Sequence, residues 1–362
     1  VLQRWSGAAV GRKVVTMASS IPPDHAHDLV VIGASAGGVE TLRRVVGGLP
    51  ADLPAAVCVV LHLSPGSPSA LPQILDRAGP LDCCAAQDGE DLLAGRVYVA
   101  PPDRHLTVED GIVRLTVGPR ENGHRPAVDA LFRSAACARG DRVVGVILSG
   151  TRDDGAAGLA IIKAAGGGII VQDPKEAMYA GMPRSALATV HADAVVSSRR
   201  VAEVVVAMVR GEPLPPGSDS DPSGDLSSGE PSSSEPATLV CPDCGGVLTE
   251  RSTAGVTQWQ CRVGHRYSPR SLVDAQAEDV EGALWAAMRA LEDRRVLLER
   301  LARNTREHQP HAARSFRQRA AEAAKQAAAV REALGQAALT SLRETDIDEQ
   351  PALDAGEEEL AS

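Results

Sequence analysis

The sequence predicts an α/β fold: a doubly wound, mainly parallel sheet with an added β-hairpin, followed by a small zinc ribbon and a helical hairpin. Three observations predict it. Between Leu29 and about Val209, short β-branched runs alternate with helical stretches, as when parallel strands are joined by helices packed on the sheet. Beyond a Pro/Ser-rich gap, three cysteines and a histidine fall in two close pairs. Two long stretches rich in Ala, Leu, Glu and Arg then follow, separated by a break between Asn304 and Pro310.

The first element sets the rest. Leu29 to Glu40 reads Leu-Val-Val-Ile-Gly-Ala-Ser-Ala-Gly-Gly-Val-Glu: a buried strand to Ile32, glycines 33, 37 and 38 that permit a sharp bend, and a helix from Val39. Such a turn exposes Ser35 at the carboxyl edge of a parallel sheet and aims free backbone N–H groups at whatever Ser35 attacks. The rival reading is a dinucleotide-binding turn. The G-x-G-x-x-G pattern fails, because Ala34-Ser35 displaces its second glycine and the next strand, Val57 to Leu61, ends in His62 instead of an acid.

Further strands are expected at Arg96 to Ala100, Val143 to Leu148, Gly168 to Val171 and Ala194 to Val196. Helices are expected at Val39 to Val46, Ser69 to Ala78, Ala127 to Cys137, Ala156 to Ala165 and Ser198 to Val209. Leu106 to Val117, with Asp110-Gly111 between two alternating runs, reads as an antiparallel hairpin. Ligands of such sheets lie beyond the carboxyl ends of the strands. Ser35, His62 and Asp154 all fall there, and a serine, a histidine and an aspartate from three strand ends can converge as a nucleophilic triad. Each has a plainer reading: His62 as a strand-end residue, Ser35 and Asp154 as helix caps. Spacing alone leaves Asp153 as a rival to Asp154.

Composition narrows the class. The 362 residues suffice for about two domains, and 44% hydrophobic content allows a sizeable core. A formal charge of −10 argues against general binding to nucleic acid or anionic membrane. No apolar run reaches the roughly 18 to 20 residues of a membrane span. Residues 1–27 lack the apolar core of a secretory signal, so a cytoplasmic location is expected, with 1–27 a disordered leader and Met17 a more ordinary start than Val1. Cys58, Cys83, Cys84 and Cys137 read as buried thiols, and nothing predicts a disulfide framework.

Six motifs in order carry a specific resemblance: Gly33-Ala34-Ser35-Ala36-Gly37-Gly38, Val59 to His62, Val97-Tyr-Val-Ala-Pro-Pro102, Arg125-Pro-Ala-Val-Asp-Ala-Leu-Phe132, Ser149-Gly-Thr-Arg-Asp-Asp-Gly-Ala-Ala-Gly158 and Gly181-Met-Pro183. Together they resemble the catalytic domain of CheB-type protein-glutamate methylesterases, over roughly residues 28–210. The resemblance implies Ser35 as nucleophile, His62 as general base and acid, and Asp154, over Asp153, as the orienting carboxylate. It implies an oxyanion site of backbone N–H groups at Ala36 and Thr151, and no cofactor for catalysis. Thr151 stands where enteric relatives carry methionine and Ala36 where they carry threonine, and both leave the amides available. Methylated chemoreceptor-type proteins are the implied partners, demethylated with release of methanol, and receptor glutamines are implied targets of deamidation. Arg104, Arg125 and Arg184 are candidates to meet an acidic receptor surface, although exposed arginines are ordinarily only solvated. The leader is too short for the receiver domain of chemotaxis members, so a receiver or other signalling protein in trans is an expected partner.

Residues 211–236, rich in proline, serine and acidic residues, read as a flexible linker. In 237–272, Cys241-Pro-Asp-Cys244 and Cys261-Arg-Val-Gly-His265 have the spacing of a tetrahedral, fully occupied Zn²⁺ site, structural in kind. A ribbon this small has too little core to fold alone, so the metal would supply most of its stability. The run from Cys261 to Ser268 resembles a C-terminal extension on stand-alone relatives of the esterase. Residues 273–343 read as an antiparallel helical hairpin, with Leu284, Met288, Leu291, Leu298 and Leu301 facing Phe316, Ala320, Ala323, Ala327, Val330, Leu334 and Ala337. Self-packing, a dimer through the hairpin and a docking face stay open, and 344–362 reads as an acidic disordered tail. Two other functions compete with the esterase: a non-enzymatic signalling adaptor built on an esterase scaffold, and a general small-ester hydrolase.

Overall fold

A computed structural model describes residues 27–63, 69–218 and 239–348, with side chains as far as 336. The expected leader up to residue 26, most of the linker and the tail beyond 348 lie outside the described residues. The first unit runs β1 (Leu29–Ala34), α1 (Gly38–Gly47), β2 (Ala56–Leu61), α2 (Leu71–Asp76), β3 (Asp82–Ala85), β4 (Arg96–Val99), β5 (His105–Glu109), β6 (Ile112–Thr116) and α3 (Val128–Arg139). It continues through β7 (Val143–Ile147), α4 (Ala156–Ala164), β8 (Gly168–Gln172), α5 (Gly181–Thr189), β9 (Ala194–Val196) and α6 (Val201–Arg210).

Seven strands form one parallel sheet in the order β3-β4-β2-β1-β7-β8-β9. Strand alternation sorts the core into two layers. Val30, Ile32, Val57, Val59, Val144 and Val146 face α1, α2 and α6, through Leu42, Leu75 and Val205 among others. Leu29, Val31, Cys58, Val60 and Ile147 face α3, α4 and α5, through Phe132, Leu159 and Met182. Helices therefore cover both faces, as the alternation predicts. The β5–β6 hairpin lies outside the sheet order and packs on α3, where Ser134 Oγ accepts from the Val108 N–H at 3.1 Å.

Local details depart from the sequence reading. β1 runs through Gly33 to Ala34, so the bend begins later, at Gly37 with φ 72°. Gly33 is required for a different reason: a Cβ there would sit 2.3 Å from Val128 Cγ1, so its absence lets the start of α3 press on the strand. Strand β3 and helix α5 were not expected. Of the four cysteines expected to be buried, Cys84 is half-buried and Cys137 is exposed. Cys137 follows the core-facing pair Ala135 and Ala136, so the helical turn carries it to the solvent side of α3.

The C-terminal part comprises β10 (Leu248–Thr253), β11 (Val256–Cys261) and β12 (Arg266–Tyr267) in one antiparallel sheet, then α7 (Pro269–Asn304) and α8 (Pro310–Asp348). Its own core is small: Cys241, Leu248, Cys261, Tyr267 and Leu272. The helices pack antiparallel and bury Leu298 and Ala302 of α7 and Ala313, Ala320, Ala323, Ala327 and Leu334 of α8, the alanines letting the two backbones approach. Helix α8 extends to Asp348, overlapping the first residues of the expected tail. No helix among the described residues is long and apolar enough to cross a membrane.

Candidate active site

Strand order reverses between β1 and β7, and in doubly wound sheets that is where the carboxyl edge opens a crevice. Parallel register decides what stands there. Ala34 pairs with Leu61, so the next residue on each chain is Ser35 and His62, and the His62 N–H donates to Ala34 O at 3.2 Å. On the other side the Leu148 N–H donates to Gly33 O and the Ser35 N–H to Ser149 O, both at 3.0 Å, bringing the 149–154 turn against the serine.

Asp154 is almost wholly buried, and both its oxygens are saturated. Oδ2 accepts from His62 Nε2 and from the Val128 N–H, each at 2.7 Å. Oδ1 accepts from Asn122 Nδ2 at 2.8 Å and the Asp129 N–H at 3.1 Å. Burial alone would push this carboxyl up. The hydrogen bond and charge of His62 outweigh burial and hold it below the usual carboxylate range. An ionised acceptor at Nε2 keeps the imidazole proton on that nitrogen and leaves Nδ1 as the basic lone pair. Among the described residues Nδ1 is buried and has no hydrogen-bond partner. Asp153, the rival in sequence, turns away and accepts from Ser271 Oγ at 2.5 Å.

A second buried acid, Asp129, shares the Asn122 amide at 2.9 Å and takes the Gly155 and Gly158 N–H groups on its other oxygen. Burial, and then the charge of Asp154, push Asp129 up to about 8. His124 stacks on His62 with ring centroids 3.7 Å apart and 12° between planes. Burial first, then repulsion from His62, push His124 down to about 3, so it lies over the imidazole as a neutral plate.

Ser35 is half-buried, and among the described residues its Oγ makes no hydrogen bond. It stands beside His62 without being bonded to it. Among the described residues the N–H groups of Ala36 and Thr151 donate to no backbone carbonyl, whereas the Gly150 N–H is spent on Tyr179 O at 3.0 Å. Ser149 fixes the turn: its Oγ donates to Ala36 O at 2.9 Å and accepts from the Tyr179 N–H at 3.0 Å, while its N–H donates to Gln172 Oε1 at 2.8 Å. Of the candidate receptor-facing arginines, Arg125 is committed to Asp103 Oδ1 at 2.6 Å and Gly118 O at 2.8 Å, and Arg104 is exposed.

Sequence reasoning missed Asn122, His124, Asp129 and Ser149. All but Asn122 and His124 lie within the quoted motifs. Asn122 could have been flagged only as a turn residue before Gly123, which matches its φ of 52° but says nothing of its partners.

Cys241, Cys244, Cys261 and His265 come together in the ribbon, their ligand atoms all within 4.8 Å of one another. Cys244 Sγ lies 3.6 Å from Cys261 Sγ, and His265 Nδ1 lies 3.7 and 3.5 Å from the sulfurs of Cys241 and Cys261. A tetrahedral ion with metal–sulfur bonds of about 2.3 Å has edges of roughly 3.5 to 3.8 Å, so this donor set fits one metal ion with all four positions taken by protein.

A serine beside a histidine–carboxylate pair, at the switch point of a doubly wound sheet, defines the hydrolase class of α/β proteins. Comparison with known proteins takes the class to a family. Residues 30–205 match the CheB methylesterase family. A Leptospira interrogans protein provisionally named protein-glutamate methylesterase/protein-glutamine glutaminase is 37% identical over 183 residues, 50% of this chain and 95% of that protein. A Methanosarcina mazei protein-glutamate methylesterase/protein-glutamine glutaminase is 37% identical over 191 residues, 51% of this chain and 52% of its own length. The crystal structure of the Thermotoga maritima CheB methylesterase catalytic domain is 35% identical and covers 51% of this chain and 99% of that one, with a TM-score of 0.49. The chain belongs to the CheB methylesterase family. It spans about half the length of the Methanosarcina relative and nearly all of the Leptospira one.

Proposed function

We propose that this chain hydrolyses γ-glutamyl methyl esters on chemoreceptor-type proteins, releasing methanol, and deamidates glutamines at such sites. The observation that supports it most is the 2.7 Å bond from His62 Nε2 to a saturated, buried Asp154 beside a half-exposed Ser35. In this reading Ser35 Oγ attacks the ester carbonyl as His62 Nδ1 takes its proton. The charge of Asp154 stabilises the imidazolium, and His62 returns the proton to the departing methoxide. Water, deprotonated the same way, cleaves the glutamyl-enzyme, giving the free carboxylate and restoring Ser35. The amides of Ala36 and Thr151 receive the tetrahedral oxyanion, a contribution on the order of 10² to 10³ in rate per donor. With a glutamine the leaving group is ammonia. A cytoplasmic setting follows from such a partner, and a receiver or other signalling protein in trans is the proposed regulator.

The division into an esterase domain at 28–210, a linker at 211–236, a metal ribbon at 237–272 and a helical hairpin at 273–343 belongs to the same reading. Cys241, Cys244, Cys261 and His265 would hold Zn²⁺, which supplies folding energy to the ribbon and takes no part in catalysis. Metal analysis of the purified chain should return about one zinc per molecule. The activity is tested by methanol release from methylated receptor membranes: wild type releases it and Ser35→Ala does not, with an unchanged circular dichroism spectrum. Wild-type protein that releases none, from several receptors, would leave the adaptor function.

A further inference from the structure

The esterase needs Asp154 held under His62, and one of its four donors is itself held from outside the sheet. Asn122 Nδ2 bonds Asp154 Oδ1, and its Oδ1 accepts from the Ser268 N–H at 2.8 Å, at the junction of ribbon and α7. That acceptor bond decides which way the amide points. With its oxygen committed to Ser268, the NH₂ end must face the carboxyl groups of Asp154 and Asp129. The main chain is stitched at the same place: the Asn122 N–H donates to Arg266 O at 2.7 Å and the Arg266 N–H to Arg120 O at 3.3 Å. Tyr267, between them, is fully buried and bonds Asp243 in the cysteine knuckle.

Helix α7 grips the other side of Asp154. Ser271 bonds Asp153, and Arg152, a non-glycine residue at φ 64°, pairs with Asp274 at 3.3 Å and with Glu278. Gln258 of β11 reaches Asp129 at 3.4 Å. These polar contacts of the C-terminal part fall on Arg120, Asn122, Asp129, Arg152 and Asp153. None falls on Ser35, Ala36 or His62, and Ser35 stays half-exposed. The pattern is that of a support behind the acid, with the nucleophile's side left open.

We propose that Asn122 is a positioning residue of the esterase, orienting Asp154 only while the Ser268 junction and the start of α7 are docked, so that the C-terminal module sets the turnover of the site beside it. The inference rests on the reading of Asp154 as the orienting carboxylate. It would give a chain of this family a regulatory input through its C-terminal side: a partner that draws α7 away lowers turnover without touching the nucleophile.

The test uses the full chain with its metal and two readouts: kcat and KM for methanol release, and the rate at which a fluorophosphonate labels Ser35, which needs an activated serine but no receptor. Asn122→Gly tolerates the left-handed backbone and removes the side chain that carries the amide. It should lower kcat and the labelling rate about 10- to 100-fold with KM within about twofold, the cost of a loosened catalytic group. Ser271→Ala/Asp274→Ala/Glu278→Ala, which frees α7 from the turn, should move both rates the same way by about 3- to 10-fold. Wild-type rates in a folded Asn122→Gly variant would overturn the proposal, as would a loss that only tracks the unfolded fraction in a thermal melt. Faster turnover in the triple variant would overturn it in favour of inhibition. If wild type is labelled but releases no methanol, the substrate reading fails, and the labelling rates still decide the role of Asn122.

Discussion

The acidic and nucleophilic halves of this site are built in opposite ways. Asp154 is buried to 1% exposure and accepts four N–H donors. Ser35, one residue beyond its strand, is half-exposed among small residues, and its Oγ has no partner among the described residues. In the proposed reaction the difference follows from what each must do. A charge in a low-dielectric edge is tolerated only when its lone pairs are all met, whereas a nucleophile must leave its oxygen free for substrate. Equal losses of activity should therefore come with unequal losses of stability. Ser35→Ala should abolish methanol release and change unfolding free energy by less than about 0.5 kcal/mol, since no described hydrogen bond is lost. Asp154→Asn should lower activity on the order of 10³- to 10⁴-fold. It should also destabilise by about 2 to 4 kcal/mol, because an amide turned either way sets its NH₂ against two N–H donors. Denaturant melts beside the methanol assay check this, and equal stabilities would break the comparison.

The open half still depends on close packing beneath it. A Cβ on Gly150 would lie 2.2 Å from Met182 Sδ and 2.8 Å from Ser35 Cβ, and Met182 is buried. Gly150→Ala should lower kcat about 10- to 100-fold and stability by about 1 to 3 kcal/mol. Adding Met182→Ala separates two causes. Recovery of stability without activity places the damage at Ser35, and recovery of both places it at the methionine.

Asymmetry also explains what the sequence could reveal. The strands around the switch point are β-branched and apolar, so β1, β2, β7, β8 and β9 were readable, and with them the edge positions of Ser35, His62 and Asp154. Strand β3, Asp-Cys-Cys-Ala at the sheet edge, carries no β-branched residue, and α5 opens on Gly181-Met182-Pro183, which reads as a loop. The support of the acid was illegible for another reason. Asn122 meets Asp154 across 32 residues and Ser268 across 146, and no local pattern encodes a buried amide whose partners are that far away. Gly33 misled because a glycine needed for the approach of Val128 looks the same in sequence as one needed for a bend.

Metal removal probes the acidic half from a distance. Chelation should unfold the ribbon, whose buried core is five residues, and make its backbone open to protease. Tyr267 then no longer fixes the Arg266–Ser268 junction, and turnover should fall about 3- to 10-fold and return with added Zn²⁺. The sheet itself, with its own two-layer core, should melt within a few degrees of the metal-loaded protein. Ribbon loss with full turnover would show that the support acts through α7 alone.

The smallest effect concerns the plate over the imidazole. His124 is buried against His62 and pushed down to about 3, from an ordinary value of 6.5 in the unfolded chain. Between those values the unfolded state binds a proton that the folded state does not. This contribution to stability is complete above about pH 6.5 and is lost as pH falls toward 3. Acidifying from pH 7 to pH 4 should therefore cost wild type on the order of 3 kcal/mol at this residue alone. His124→Phe keeps a flat ring over His62 and removes the titration. Its stability should fall less than that of wild type over the same interval, with kcat at pH 7 changed only a few-fold. Denaturant melts of both proteins at pH 7 and pH 4 give the difference directly, and equal acid losses would mean that His124 takes up its proton in the folded state, over an imidazole the acidic half was thought to hold alone.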